Sequence, residues 1–305
     1  MPNDVSMSRR DPDTDICTGT STSIDAAEGY FFALDAEANE IDATAPEAGQ
    51  QQALVREVAV AFCYNGISHA VMMATPQDLE DFAYGFSLTS GVIRHRDQIV
   101  DLDVEIAHDS AMLHISLNQR ALQQFRSSRR VMAGTSGCGI CGVDALDQAL
   151  NAPGPTLHPG FDELPTHAHL AELRTRFQRA QQHRDSRGAM HAALFVDDGG
   201  ETRLCREDIG RHNALDKLIG AGIREGLDFS AGFVAITSRC SLELIQKSLY
   251  AGIGTLVSLA SPSDIAVRWA RQYRLNLLHQ PAEGPARLFS GAPIEPLAPR
   301  NSSGE

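Results

Sequence analysis

Cys138 and Cys141 stand two residues apart in Gly134-Thr135-Ser136-Gly137-Cys138-Gly139-Ile140-Cys141-Gly142, a stretch with too little side-chain bulk to belong to a packed core. Its glycines can take positive φ at little cost, so the loop leaves both sulfurs open to a bulky reactant or to another protein's active site. Arg126, Arg129 and Arg130 lie just upstream, and neighbouring positive charge lowers a thiol pKa and enlarges the nucleophilic thiolate fraction. Four readings fit such a pair. A sulfur carrier would attack the sulfane sulfur of a donor persulfide, hold it as Cys-S-SH and pass it on. A dithiol–disulfide oxidoreductase would use the same spacing, but thioredoxin-like proteins open a helix with it directly after a strand, whereas Gly, Thr and Ser surround it here. Zinc needs four ligands in a structural site and about three plus water in a catalytic one. Only two are local, with His158, His191, His212 and Cys240 available to complete a site in space. The fourth reading is a structural loop, and sulfur transfer is the one the residues favour.

Two other segments carry candidate chemistry. In Glu207-Asp208-Ile209-Gly210-Arg211-His212-Asn213-Ala214-Leu215-Asp216-Lys217, Gly210 permits a tight strand-to-helix turn, and Arg211 and His212 project near a helix N-terminus whose N–H groups attract anions such as a nucleotide pyrophosphate. An ordinary capped helix with Leu215, Leu218 and Ile219 as its buried stripe accounts for the same residues. Thr237-Ser238-Arg239-Cys240-Ser241 repeats the idea, opening a helix after a strand with small hydroxyl residues and Arg239, as open α/β sheets do to hold phosphates. A plain Ser241 N-cap with Glu243 in the first turn describes it equally. Cys240 is read as buried and inert rather than as a third redox thiol. His191 is read either as a site residue or as a histidine that satisfies the backbone. Ser261-Pro262-Ser263 before Asp264 is helix-start chemistry.

The elements that must position these residues follow from patterning. Alternating apolar residues over 58–64, Asn65-Gly66 as a type I′ turn, and a return over 69–73 predict a hairpin. Thr75-Pro76-Gln77-Asp78 starts a helix carrying Phe82 and Phe86, and Leu102, Val104, Ile106 and then Leu113, Ile115, Leu117 predict a second hairpin. Pro153, Pro155, Pro159 and Pro165 make 151–165 an irregular connector. Beyond it, Leu170, Leu173, Phe177 and Ala180 mark a helix capped by Thr166. Strands at 192–196, 202–205, 233–237 and 255–259 alternate with helices from about 213, over 242–252 and over 264–273. That order favours a parallel or mixed sheet covered on both faces. The expected organisation is an acidic disordered tail at 1–50, a small α+β domain at 51–130, an α/β domain with the CxxC loop at 131–297, and a tail at 298–305.

Composition narrows the function classes. The chain has 305 residues, 43% of them hydrophobic, enough for one large or two moderate cores. Residues 1–50 hold eleven acidic residues against Arg9 and Arg10, so most of the net charge of -13 sits there. The nearly balanced remainder argues against a nucleic-acid partner. No apolar run reaches signal-peptide or membrane-spanning length, which predicts a cytoplasmic protein with no membrane partner. Six scattered cysteines in a reducing compartment point to catalysis or metal rather than a disulfide framework. Of 26 basic residues only Lys217 and Lys247 are lysine, and both fall in the segments singled out above.

The segments TSGCGICG (135–142), EDIGRHNALDKLIGAG (207–222), TSRCSLELIQKSLYAGI (237–253) and TPQDLEDFAYGFSLTSGVI (75–93), taken together, resemble the FdhD family of formate dehydrogenase accessory sulfur carriers, over about residues 55–292. The resemblance implies a sulfurtransferase that accepts sulfur from a cysteine desulfurase and delivers it to molybdenum bis(molybdopterin guanine dinucleotide), so that the formate dehydrogenase catalytic subunit becomes active. It implies Cys138 as the persulfide-bearing residue with Cys141 as partner, and a cofactor-binding stretch at Ala286, Arg287, Leu288, Phe289, Ser290 and Gly291; the chemistry of the helix starts adds Arg211, His212 and Arg239 as residues expected to hold the anionic cofactor. No resident metal is expected. The implied fold is a cytidine deaminase-like three-layer α/β/α domain joined to a smaller N-terminal α+β domain, commonly as a homodimer. Two other classes stay open: a maturation chaperone that binds cofactor or apo-enzyme without moving sulfur, and a zinc-dependent deaminase-like enzyme, against which the lack of a His-x-Glu partner motif counts.

Overall fold

The computed structural model describes residues 28–30, 33–35, 40–42, 51–134, 164–181 and 190–292. It divides into two units, Met1–Leu54 and Val55–Glu305. In the first, Glu28–Tyr30 (β1) pairs antiparallel with Gln51–Ala53 (β4), and Ala33–Asp35 (β2) with Glu40–Asp42 (β3). The rest of the acidic segment, the 135–163 stretch and the C-terminal tail from 293 lie outside the described residues.

The second unit is mixed α/β and holds two mixed sheets. Val58–Tyr64 (β5) and Ile67–Ala74 (β6) form the first predicted hairpin. Asn65 and Gly66 both have positive φ, 47° and 77°, as a type I′ turn requires. The helix Leu79–Thr89 (α1) follows, and Ile99–Ile106 (β7) with Ser110–Leu117 (β8) forms the second hairpin. The two hairpins join through their inner strands, β5 parallel to β8, in the order β6-β5-β8-β7. Alternation sends Val58, Val60, Phe62, Leu113 and Ile115 to one face, where they share a core with Phe82 and Phe86 of α1. Gln119–Gly134 (α2) then leads up to the cysteine segment. Sequence patterning gave no helix here: in its first ten residues the apolar Ala121, Leu122 and Phe125 are thinly spread among arginine, glutamine and serine.

His167–Ala171 (α3) and Leu173–Ala180 (α4) replace the single helix expected there, broken at Glu172, and Thr166 caps the first as predicted, its Oγ1 accepting from the His169 N–H at 3.3 Å. The second sheet comprises His191–Asp197 (β9), Thr202–Asp208 (β10), Gly232–Arg239 (β11), Thr255–Ala260 (β12), Asn276–His279 (β13) and Arg287–Ser290 (β14). Their order is β10-β9-β11-β12-β13-β14, with β11, β12 and β13 parallel and the other pairs antiparallel. Arg211–Glu225 (α5), Leu242–Tyr250 (α6) and Asp264–Gln272 (α7) supply Leu215, Leu218, Leu244 and Trp269 to a cluster with Ala193 and Phe195 of β9. The alternate residues Ala192, Leu194 and Val196 pack against Leu170, Leu173 and Phe177 of α3 and α4. The sheet is thus covered on both faces, which is why its central strands read as continuous apolar runs.

α1 lies directly on α5, and the two backbones touch. A Cβ on Gly220 would sit 1.7 Å from the Asp81 carbonyl oxygen, and one on Gly85 would sit 1.7 Å from that of Asp216. Both obstacles are backbone, so relief requires the helices to separate. Gly220→Ala is therefore expected to lower stability by about 3 kcal/mol, the upper end of ordinary overpacking. Gly226→Ala, at a φ of 73° with open space around it, costs about 1–2 kcal/mol from backbone strain alone. Urea unfolding midpoints of the two variants measure the difference.

Candidate functional site

One edge of the six-stranded sheet gathers most of the predicted residues. β11 and β12 run parallel and end there at Arg239 and Ala260, which are cross-strand neighbours. β9 runs the other way, so it begins at this edge with His191, opposite Asp208 at the end of β10. α5 starts from Gly210 immediately after Asp208, and α6 starts from Ser241. The two starts touch: His212 Nε2 lies 3.3 Å from Ser241 Oγ and 3.4 Å from Glu243 Oε2. Neither helix has a side-chain capping bond at its N-terminus, which leaves first-turn N–H groups free for an anion. Arg211 is half-buried, and its Nε is shielded from solvent without a hydrogen-bond partner among the described residues. Arg239 is exposed.

Gly210 is required by close approach. A Cβ there would meet Asn213 Nδ2 at 2.7 Å and Asp208 Oδ1 at 3.3 Å, and the Gly210 N–H itself donates to Asp208 Oδ1 at 2.7 Å. The half-buried imidazoles have pKa values below the ordinary histidine value. Burial, then the positive charge of Arg211, lower the pKa of His191 against a smaller opposing pull from Asp208. Burial also lowers that of His212; Glu243 opposes this, and Arg211, Lys247 and His191 add to it.

Beneath the edge lies a network that sequence reasoning missed. Asp208 and Lys217 are both fully buried and pair at 2.7 Å. Asp208 Oδ2 also accepts from Thr75 N–H at 3.0 Å and Thr75 Oγ1 at 2.9 Å, while Asn213 Nδ2 donates to Asp208 Oδ1 and to the Met73 carbonyl. Lys217 Nζ donates back to the Thr75 carbonyl at 3.0 Å. Asp216 pairs with Lys247 at 2.8 Å and accepts from Thr89 Oγ1 at 2.6 Å. Lys217 also stands over the Phe82 ring and Lys247 over that of Phe86. Burial pulls the Lys217 pKa down and pushes that of Asp216 up, and in each case the partner opposes the shift. Thus EDIGRHNALDK has a double role: its first helical residues face the edge, and its aspartates and lysine tie α5 to the end of β6 and to α1. The signal was present in the sequence as two lysines among 26 basic residues; a compact ammonium fits these sites where a guanidinium fork does not.

The other predicted residues fall elsewhere. Ala286 to Gly291 covers β14, an edge strand three positions from β11, or roughly 14 Å at ordinary strand spacing. Arg287 is exposed opposite His279, at the same end of the sheet as Arg239. Leu288 packs on one core cluster and Phe289 on the other, and Ser290 and Gly291 are buried toward the far end. Cys138 and Cys141 lie outside the described residues. Cys240 is buried, as expected, with burial pushing its thiol up to about 12. Burial, aided by Glu207, pushes Cys205 up to about 12 as well. Cys63 is buried. Among the described residues no group of three or more His, Cys, Asp or Glu side chains is arranged to hold a metal ion, and no helix is long and apolar enough to cross a membrane.

Residues 55–293 match the FdhD/NarQ family model. The chain belongs to the FdhD/NarQ family. The sulfur carrier protein FdhD of Cupriavidus necator is 41% identical over 225 residues, covering 73% of this chain and 77% of that one. That of Bordetella parapertussis is 39% identical over 243 residues, 80% and 87% of the two chains. That of Xanthomonas euvesicatoria is 41% identical over 230 residues, 75% and 80%. A crystal structure from Desulfotalea psychrophila, described as a formate dehydrogenase accessory protein, superposes with a TM-score of 0.63 at 17% identity, over 88% of this chain and 98% of that one. At that identity it speaks for the shared fold. The family's matched region, residues 55–293, lies within the second structural unit, so the acidic segment stands outside it.

Two outcomes follow for FdhD/NarQ-family architecture in this chain. Lys217→Met leaves Asp208 buried without its countercharge and is expected to cost about 3 kcal/mol, the low end for a broken buried pair because Thr75, Gly210 and Asn213 still donate to the carboxylate. Its urea midpoint tests this. The lowered pKa values of His191, His212 and His279 mean that unfolding takes up protons below the ordinary histidine pKa of about 6.5. Stability is therefore expected to fall as pH drops below about 6.5, with a shallower fall in His212→Gln. Urea midpoints across the range measure it.

Proposed function

We propose that this protein is a sulfur carrier for formate dehydrogenase maturation, working through a persulfide on Cys138. Membership of a family whose relatives are named sulfur carrier protein FdhD, together with a CxxC pair in a glycine-rich segment, carries the reading. The described cysteines support it by exclusion: Cys63 and Cys240 are buried, and Cys205 and Cys240 have thiols far too weakly acidic to supply thiolate at neutral pH. Cys17, Cys138 and Cys141 lie outside the described residues, and of these only Cys138 and Cys141 form a close pair, to which this reading assigns the sulfur chemistry.

In this mechanism the Cys138 thiolate attacks the outer sulfur of a persulfide on a cysteine desulfurase. A new S–S bond forms, the donor's S–S bond breaks, and the donor cysteine leaves as thiolate. Cys141 then attacks the inner sulfur, closing a Cys138–Cys141 disulfide and releasing hydrosulfide; the two thiols supply the two electrons, and a thiol reductant restores them. The acceptor, molybdenum bis(molybdopterin guanine dinucleotide), is a substrate. Its anionic diphosphates suit the edge formed by Arg211, His212 and Arg239, where uncapped N–H groups and guanidinium forks give donors to phosphate oxygens, and Arg287 extends the positive charge along the same end of the sheet. The same reading includes a cytidine deaminase-like layering of the larger part of the fold, with 51–130 as the smaller domain, a homodimer, and a cytoplasmic site of action.

Incubation with a desulfurase and labelled cysteine is expected to add about 32 Da, one sulfur atom, to the wild-type protein. Cys138→Ala should abolish the adduct and Cys141→Ala should retain it without releasing sulfide; intact-protein mass spectrometry reads both. Equal loading of Cys138→Ala would overturn the assignment. Alkylation of the native protein at neutral pH should spare Cys63, Cys205 and Cys240 until a denaturant is added.

A further inference from the structure

His191 belongs to neither motif that marks the edge, yet topology brings it there. β9 is antiparallel to β11, so its first residue stands beside the last turn of β10 and the start of α5. Alternation fixes the side: Ala192 packs toward α3 and α4, Ala193 toward α5 and α6, and His191 shares the face of Ala193. His191 thus stands at the same end of the sheet as Arg211 and His212; the Arg211 charge lowers the pKa of both imidazoles, and His191 adds to the lowering at His212.

The surroundings leave these imidazoles without a committed counter-ion. Asp208 faces His191, but its oxygens are taken by Lys217, Thr75, Gly210 and Asn213. Glu243 faces His212 at 3.4 Å, but it is half exposed and also lies 3.7 Å from Lys247, which is itself paired to Asp216. Ser241 offers its hydroxyl to His212. Arg239 is exposed at the rim, and the shielded Arg211 Nε has no partner among the described residues. In the free protein a second positive charge next to Arg211 is costly. A ligand bearing two or more negative charges removes that cost and gives every one of these donors an acceptor.

We propose that His191 and His212 form a proton-coupled pair of diphosphate ligands around Arg211, taking up protons as the diphosphate group binds. The proposal rests on the cofactor-binding reading of this edge and adds a residue, His191, and a control: acceptor affinity rises as pH falls. The imidazoles become donors only when the anion is present, so the edge discriminates a diphosphate from singly charged anions. On release of the ligand the protons return to solvent, which favours letting go of the cofactor at higher pH.

The test is calorimetric binding of inorganic pyrophosphate and of guanosine diphosphate to the full chain at pH 7.5 and 6.0, in two buffers of different ionisation enthalpy. Either probe serves the proposal, and the tighter one separates a free diphosphate from that of a nucleotide. The probes titrate in this range themselves, so the comparison is between wild type and His191→Gln, His212→Gln and the double variant. Affinity of the wild type is expected to rise about tenfold more on acidification than that of the double variant, the effect of one unit of imidazole pKa, with His191→Gln giving part of the loss. In wild type alone, NMR titration of the histidine ring protons should show two imidazole pKa values rising with saturating pyrophosphate, a readout that survives if a variant fails to fold. Tight binding with the same pH dependence in all proteins, or unmoved imidazole pKa values, overturns the proposal and leaves the edge as a cofactor site. Absence of binding by both probes, unchanged in Arg211→Gln, overturns the proposal and the cofactor reading of this edge together, while sulfur loading on Cys138 would remain unaffected.

Discussion

The architecture depends on the crossing of α1 and α5. Gly85 and Gly220 let the two backbones meet with carbonyl oxygens where side chains would ordinarily stand, and this brings the four-stranded sheet and its helix against the helical layer of the six-stranded sheet. At such a distance there is no room between the helices for apolar side chains. Cohesion at the crossing therefore comes from groups at its margins: Arg224 with Glu80 and Asp81, Arg206 with Asp81 at 2.7 Å, and the two buried Asp–Lys pairs tied to Thr75 and Thr89. Buried ion pairs contribute little net stability compared with a well-packed apolar substitute, because desolvation offsets their attraction. They do fix register. An apolar contact tolerates a helix sliding by a turn, but Lys217 can meet both Asp208 and the Thr75 carbonyl in only one alignment.

That alignment is what the edge of the sheet inherits. Asp208 ends β10, orients Gly210 and Asn213, and neutralises Lys217, so the last strand residue and the first turn of α5 are a single rigid object. Arg211 and His212 take their positions from it. Lys247 performs the corresponding service for α6, anchored to Asp216 below and lying near Glu243 above. Two helix starts set by separate buried pairs thus meet at the His212–Ser241 contact, and a change in either pair would be felt at the site without any ligand contact being lost.

Much of this was readable from residue patterns, and what was not has physical reasons. The hairpin at Asn65-Gly66 and the strands over 192–196, 233–237 and 255–259 appear where period-two alternation or continuous apolar runs put them. α2 escaped because, among its described side chains, only Ala121 and Phe125 are buried, with Leu122 partly so, in an otherwise polar stretch. β13 escaped because four residues buried on both faces give neither alternation nor length. The start of α5 was placed two residues late: Arg211 and His212 look like loop residues, but a glycine cap held by Asp208 lets them begin the helix. At the site, Arg211, His212 and Arg239 were visible from their place after strands. The convergence of His191 was not, since it depends on β9 running antiparallel to β11, a choice no local pattern encodes. The buried pairs were hidden for the same reason: Thr75 and Lys217 are 142 residues apart.

The distribution of sulfur and of positive charge is the last consequence of this arrangement. In the packed part of the unit, thiols at Cys205 and Cys240 are driven toward the protonated form by the burial that makes the fold dense, so a reactive sulfur cannot be placed there without surrendering its nucleophilicity. Anion binding has the opposite requirement. Guanidinium and imidazole donors gain strength from partial burial and fixed orientation, and the sheet edge supplies both. A protein that must combine a nucleophilic sulfur with a firm grip on a polyanion is therefore pushed to separate them along the chain, the thiols in a glycine-rich segment beyond α2 and the donors at helix starts locked by buried pairs. Under the proposed function, the EDIGRHNALDK and TSRCS segments hold the cofactor and TSGCGICG carries the sulfur, so that three short motifs far apart in sequence share one task.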